Sequence, residues 1–351
     1  MHVGVFIEEM RNGITQEDAF REAFALVDAV ERDGLDGVWL GELHFLPARC
    51  VFSAPLVVAS AMAARTRRIR IGTAVHVLPL GNPLRIAEEA ATVDQISDGR
   101  FEFGIGRSGS TRVYDAFGIP YEESQSRFQE ALEIIVEAFK GQPFTYKGAH
   151  YRVDNATLSP RPIQRPYPPL RMAATNEETF VQVGRMGLPI FVGLRGTEIP
   201  ELAMQIRSYR AAWKAAGHAG HGDVYLRIPI YAAPAESGAL DDPRESITYY
   251  FRRQADLARA SLGRAGTEPI ERRQAMVDRL TSLTYDRVLA TKVAFGTAPQ
   301  LVARLAELRD ALVLNGIVVE LNSGGMMPPD RVTRSLSILA HDVAPALRSS
   351  A

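Results

Sequence analysis

The chain has 351 residues, 46% hydrophobic and 23% charged, a globular balance that supplies a core and excludes wholesale disorder. Its 40 Lys and Arg against 41 Asp and Glu leave a net charge of −1, which argues against nucleic-acid binding through a broad basic face. A single cysteine, Cys50, excludes an intramolecular disulfide framework and a thiolate zinc cluster.

The first ten residues lack the basic, apolar and small-residue succession of a signal peptide. The longest apolar stretch, Ala54 to Ala64, falls short of the roughly 20 residues a membrane span needs. A cytoplasmic protein without membrane contact is the expectation. Val3 to Ile7 reads as a buried strand, ended by charge at Glu8 and Glu9. A helix follows from about Thr15 to Arg32, with a cap-like Thr15 and Asp18, an apolar face of Phe20, Phe24, Val27 and Val30, and Gly34 as its stop. Gly37 to Leu40 is a second strand, Ala54 to Ala64 a second helix and Ile69 to Ala74 a third strand. Pro83 opens a helix whose stripe runs to Ile96, and Phe101 to Ile105 is a fourth strand.

A helix from about Glu122 to Phe139 gives way to an irregular stretch, residues 141–169, whose Pro-rich end suits neither helix nor central strand. Leu170 to Ala174 and Leu188 to Val192 read as strands flanking a helix from Asn176 to Met186. A helix around Ile199 to Ala216 precedes a strand from Val224 to Tyr231. Residues 238–290 form a polar, helix-prone excursion; Leu301 to Leu312 (helix), Ile317 to Leu321 (strand) and Arg331 to Leu347 (helix) finish the chain. Alternating strands and helices with short links call for right-handed crossovers and a parallel sheet. The eight units predict a single (β/α)8 TIM barrel over residues 1–351, with insertions after strands 4 (141–169) and 7 (238–290); a doubly wound open sheet is the runner-up.

In a barrel, function sits just after each strand. Strand two is followed by Glu42, Leu43 and His44, strand three by Val75 and His76, strand four by Gly106-Arg107-Ser108-Gly109-Ser110. Strand five ends at Ala174 before Thr175 and Asn176, and strand six at Gly193. Thr175, Asn176 and Thr179 at a helix start, with Arg107 opposite, have the make-up of a phosphate site, although each also suits an ordinary cap or surface ion pair. Gly104 to Gly109 matches G-x-G-x-x-G, but residues 112–120 after it show no helical stripe, so the dinucleotide reading is rejected. His44 is the first candidate acid or base, being the side-chain type that titrates nearest neutrality, with Glu42 placed to orient it; His76 is the second. The remaining histidines have no ligand spacing, no G-x-S-x-G occurs, and a metal site is not expected.

The runs Trp39-Leu40-Gly41-Glu42-Leu43-His44-Phe45, Ile71-Gly72-Thr73-Ala74-Val75, Asp94-Gln95-Ile96-Ser97 and Gly99-Arg100-Phe101-Glu102-Phe103-Gly104-Ile105-Gly106-Arg107 resemble the bacterial luciferase-like, flavin-dependent monooxygenases. Gly187-Leu188-Pro189 and Gly296-Thr297-Ala298-Pro299 extend the resemblance over nearly the whole chain. It implies a barrel that binds FMN at the C-terminal rim, receives it reduced from a separate, transient flavin reductase, and oxygenates a small, largely apolar substrate through a flavin C(4a)-hydroperoxide. Arg107, Ser108, Thr175, Asn176 and Thr179 would then hold the phosphate side, with Ala74 and Val75 (often a cis peptide in the family), Gly106, Ala174 and Gly193 nearer the ring. Residues 262–285 would match a mobile lid, and a homodimer is implied. Leu43 replaces the first histidine of a Glu-His-His-Phe run, so light emission does not follow. Gly106 stands where luciferase has a cysteine, an exchange expected to enlarge the pocket. A deazaflavin-dependent dehydrogenase and a non-catalytic flavin-binding protein are the alternatives.

Overall fold

The computed structural model describes residues 1–8, 10–262 and 270–349. Among them are the parallel strands β1 (His2–Ile7), β2 (Gly37–Leu40), β3 (Arg70–Thr73) and β4 (Phe101–Gly106), followed by β5 (Leu170–Ala173), β6 (Ile190–Gly193), β7 (Val224–Ala232) and β8 (Gly316–Glu320). Each pairs with the next, and β8 pairs with both β7 and β1, which closes the barrel and excludes the open sheet.

The strands alternate between two cores. Val5, Val38, Leu40, Leu226, Ile317 and Val319 point outward into the layer shared with the helices. Phe6, Trp39, Phe191, Tyr225 and Val318 point inward and fill the barrel. This period of two follows from the pleat, which sends successive side chains to opposite faces. Trp39 fits because glycines face it: a Cβ on Gly4 would come within 2.0 Å of its ring and one on Gly72 within 2.5 Å.

The helices follow their sequence signals. Thr15 Oγ1 accepts the Asp18 amide at the start of α1 (Gln16–Asp33), and Gly34 ends it at φ 85°. After α2 (Pro55–Arg65), Asn82 caps α3 (Pro83–Ile96). One element was not expected: α4 (Thr111–Phe117) does follow the glycine-rich run, as a seven-residue helix. It is too short for a repeating stripe and is tied down by buried Val113 and Tyr114 instead. After α5 (Ser124–Phe139), the stretch predicted to be irregular carries a β-hairpin, Phe144–Lys147 against Arg152–Ala156, with a register shift that breaks its alternation. Its proline-rich remainder, with cis Ser159–Pro160 and Arg165–Pro166, is neither helix nor strand.

Beyond α6 (Glu177–Met186) and α7 (Ile199–Ala215), the excursion after β7 contains α8 (Arg244–Ser261) and α9 (Ile270–Thr281). Of the lid expected over residues 262–285, positions 263–269 lie outside the described residues. α10 (Ala298–Leu312) starts on a capping box formed by Thr297 and Gln300. The closing helix, read as continuous, is α11 (Pro329–Ile338) followed by a π turn over Leu339–Val343. Among the described residues, no helix is long and apolar enough to cross a membrane.

Candidate functional site

A cavity of about 430 Å³ opens at the C-terminal ends of the strands. Phe6, Phe191 and Val318, the top of the inward-facing layer, line its depth. One wall is built from small side chains: Ala74 and Val75 after β3, Ala173 and Ala174 at the end of β5, and Gly193 at the end of β6. A Cβ on Gly193 would meet only the Arg227 carbonyl oxygen, at 3.7 Å, so this glycine opens onto the cavity. The Ala74–Val75 peptide is cis. Tyr250 and Phe251 of α8 and Met276 of α9 close the cavity from above the rim.

Charged side chains from the strands meet in the same space. The Arg227 guanidinium stacks on Phe6 at 3.6 Å, donates from Nε to Glu320 at 2.8 Å, and donates from Nη2 to Glu8 at 2.8 Å and to Glu320 at 3.0 Å. Arg49 adds a second donor to Glu8 at 3.3 Å. Burial would raise the Glu8 carboxyl, but Arg227, Arg49 and Arg195 overcome it and hold the group at about 2. Sequence reasoning missed this group. Its signal was a charge at an inward position of an otherwise apolar strand, Arg227 in β7 and Glu320 in β8, where an unpaired ion would be costly.

Beside the small-residue wall, Glu42 joins two imidazoles. His44 Nε2 lies 2.8 Å from Oε1, His76 Nδ1 makes an ion-pair contact of 2.7 Å with Oε2, and the Val77 amide donates to Oε2 at 3.0 Å. Burial pushes the Glu42 carboxyl up, yet the His76 charge and these hydrogen bonds outweigh it, holding it at about 2. An ionised Glu42 can only accept, so His44 carries its ring proton on Nε2 in this contact and presents Nδ1 as the nitrogen that takes up or releases a second proton. Phe45 and Phe117 flank the His44 ring at centroid distances of 5.8 and 5.1 Å. Although a carboxylate and two imidazoles converge here, no group of His, Cys, Asp or Glu among the described residues has a metal-holding arrangement.

Arg107 and Thr175 lie at the same end of neighbouring strands, because β4 and β5 pair Phe103 with Leu170 and Ile105 with Met172. The Arg107 guanidinium donates to Ser124 Oγ at 2.9 Å and Tyr121 OH at 3.3 Å, and its carbonyl accepts the Tyr114 hydroxyl. Burial pushes the Tyr114 phenol up, which keeps it protonated as that donor. Ser108 adopts a positive φ of 62° and its Oγ accepts the Ser110 amide. At the start of α6, Asn176 Oδ1 accepts both the Thr179 amide at 2.9 Å and its hydroxyl at 2.8 Å. These two side chains close the cap on each other, and the exposed Glu177 and Glu178 already complement the helix dipole, which leaves Thr175 to face the cavity.

Of the residues singled out from sequence, Ala74, Val75, Ala174, Thr175 and Gly193 line the cavity. Glu42, His44, Gly106, Arg107, Ser108, Asn176 and Thr179 stand around it without lining it. Gly106 requires a correction. A Cβ there would sit 2.4 Å from Val75 Cγ2, so the missing side chain makes room for Val75 and does not enlarge the pocket.

The family model for luciferase-like monooxygenases matches residues 1–315. Among curated relatives, two uncharacterised proteins of Sinorhizobium fredii, y4vJ and y4wF, are 32% and 35% identical over 55% and 50% of this chain. Those matches span 55% and 51% of the relatives' lengths, about half of each. The oxygenase component of a flavin-dependent trigonelline monooxygenase from Acinetobacter baylyi is 29% identical over 70% of this chain and 68% of its own. The oxygenating constituent of 3,6-diketocamphane monooxygenase from Pseudomonas putida, solved with FMN, superposes with a TM-score of 0.84 at 19% identity over 98% of both chains. An F420-dependent secondary alcohol dehydrogenase superposes with a TM-score of 0.76 at 18% identity over 99% of both chains. At such identities, these two structures speak to the fold alone.

Proposed function

The chain belongs to the luciferase-like monooxygenase family, and from that premise we propose that it is an FMN-using oxygenase that takes reduced flavin from a separate reductase and places one oxygen atom of O2 into a small organic substrate. The observation that carries this reading is the cavity at the barrel mouth, whose wall of Ala74, Val75, Ala174 and Gly193 suits a flat heteroaromatic ring, with the Glu42, His44 and His76 cluster tied to that wall through His76, the residue after Val75. The oxygenase-component description of the trigonelline relative supports a reductase partner.

Reduced FMN, when bound, supplies the electrons and the position at which oxygen is activated. The protein's part is to grip, to exclude water and to hold protons. Arg107 would pair with the phosphate, aided by Ser108 and by Thr175 just before the start of α6; Asn176 and Thr179 would act by keeping that helix start in shape. Glu42 would fix His44 with its Nε2 protonated, so that Nδ1 handles the proton the reaction moves. Phe6, Phe191, Tyr250, Phe251 and Met276 would keep water from the reacting atoms, α8 and α9 acting as the cover.

One competing reading, hydride transfer to or from a deazaflavin on the same barrel, is favoured by a relative from Kineococcus radiotolerans, an F420-dependent glucose-6-phosphate dehydrogenase 35% identical over 45% of this chain and 48% of its own. Incubation of the protein with reduced FMN, a substrate panel and 18O2 separates the two. Oxygenation yields product carrying one 18O atom, whereas product formed with F420 and free of label would reverse the assignment.

A further inference from the structure

The loop after β6 places hydrogen-bond donors on the cavity wall. Arg195 and Thr197 both line the cavity. Every other charged side chain lining it faces an opposite charge: Arg227 with Glu320 and Glu8, Lys292 with Glu198 at 2.8 Å, and Glu201 with Arg279 at 3.0 Å. Arg195 differs. Its Nη1 donates to the neutral amide oxygen of Gln254 at 2.9 Å, and among the described residues no carboxylate lies within ion-pair distance of it. Two further donors go unused within the protein. Thr197 Oγ1 and Gln254 Nε2 are buried with no hydrogen-bond partner among the described residues, and Gln254 is only 6% exposed.

A buried donor without an acceptor is costly, and although the Arg195 charge acts on Glu8, that carboxylate is already paired with Arg227 and Arg49, which leaves the Arg195 guanidinium without an ion pair of its own in a half-enclosed space. The guanidinium, the hydroxyl and the amide have one thing in common, namely that each can donate to an oxygen anion. We propose that Arg195, supported by Thr197 and positioned by Gln254, anchors an anionic oxygen group of the substrate, so that the oxygenase acts on small organic carboxylates rather than on neutral apolar compounds. The inference rests on the oxygenase reading above. It places the anchor two strands along the rim from Arg107, away from the residues proposed for the flavin phosphate. The expected substrate class thus changes from largely apolar to one with an apolar body against Tyr250, Phe251 and Met276 and a charged end at Arg195.

Calorimetric titration of the full chain at low ionic strength tests this, with hexanoate, benzoate and phenylacetate each set against its amide. A parallel fluorescence titration follows FMN. The wild type should bind at least one carboxylate about 10- to 100-fold more tightly than its amide, the ratio that a charge-assisted hydrogen bond carries. Arg195→Gln should remove that preference while leaving amide and FMN affinities within about twofold, and Arg195→Lys should keep part of it. The proposal is overturned if no carboxylate outbinds its amide in the wild type, or if the preference survives Arg195→Gln. It is equally overturned if that variant loses FMN but not riboflavin affinity, which would assign Arg195 to the cofactor's phosphate. Should FMN fail to bind while the carboxylate preference holds, the oxygenase reading falls and the anion site stands.

Discussion

His44 and Arg107 are the two residues on which the proposed chemistry divides. Replacing His44 with Asn keeps a planar N–H donor but removes the nitrogen that moves a proton, so turnover should fall by about 100-fold or more while FMN affinity stays within about twofold. Unchanged turnover would take His44 out of the reaction. Glu42 also carries a stability consequence. Its folded-state value of about 2 lies below its ordinary 4.5, so the stability it contributes is complete above pH 4.5 and is lost as the pH falls toward 2. Glu42→Gln should therefore flatten the acid limb of a stability-against-pH curve between those values, as measured by denaturant titration. Gly106 gives a steric test. With Val75 Cγ2 at 2.4 Å from the added atom, Gly106→Ala should cost about 1–3 kcal/mol, read from its urea midpoint. His44 and Glu42 were legible in the sequence because they follow a strand and sit two residues apart. Arg195 was not, since a loop arginine gains meaning only when its hydrogen-bond partner turns out to be the neutral Gln254 and no carboxylate pairs with it.

The elements that carry the site were read with varying success, and the reason is local. Strands such as Val224–Ala232 and Gly316–Glu320 announce themselves by short apolar runs, which is why the barrel was visible before any coordinates. α4 was hidden because seven residues cannot display a stripe, and the hairpin over 144–156 was hidden because a bulge interrupts its alternation. The inward faces of β7 and β8 were the larger loss. Arg227 and Glu320 sit singly in apolar strands, and only the closed barrel brings them to 2.8 Å. The helix start after β5 was legible as a cap, and Asn176 forms one with Thr179. Asn176→Ala should therefore lower stability by about 1 kcal/mol, seen as a drop in Tm, and should weaken FMN binding only modestly. A large loss of FMN affinity with unchanged Tm would instead mean that Asn176 touches the phosphate itself.

At the scale of the whole molecule, closing eight strands into a ring gathers residues from 6 to 320 at one mouth. The sequence positions of Phe6, Ala74, Thr175, Arg195, Arg227 and Glu320 give no hint of neighbourhood, whereas the topology makes it unavoidable. The homodimer that the resemblance implies is the other proposal at this scale. Val57 on α2 is 66% exposed, and we propose that it lies in the interface of such a homodimer. Light scattering should then report twice the 38.6 kDa of one chain, and Val57→Glu should shift the protein toward monomer. A monomer at every concentration would remove the dimer from the account.

The most direct test of the account's central claim, that a guanidinium and a helix start at the barrel mouth hold a flavin by its phosphate, is a comparison of FMN, riboflavin and F420 binding by titration calorimetry to wild type and Arg107→Ala. The account predicts that the wild type binds reduced FMN about tenfold or more tightly than riboflavin, that F420 binds more weakly than FMN, and that Arg107→Ala erases the gap between FMN and riboflavin. Equal affinity for FMN and riboflavin in the wild type, or tight binding of F420 in place of FMN, would contradict it.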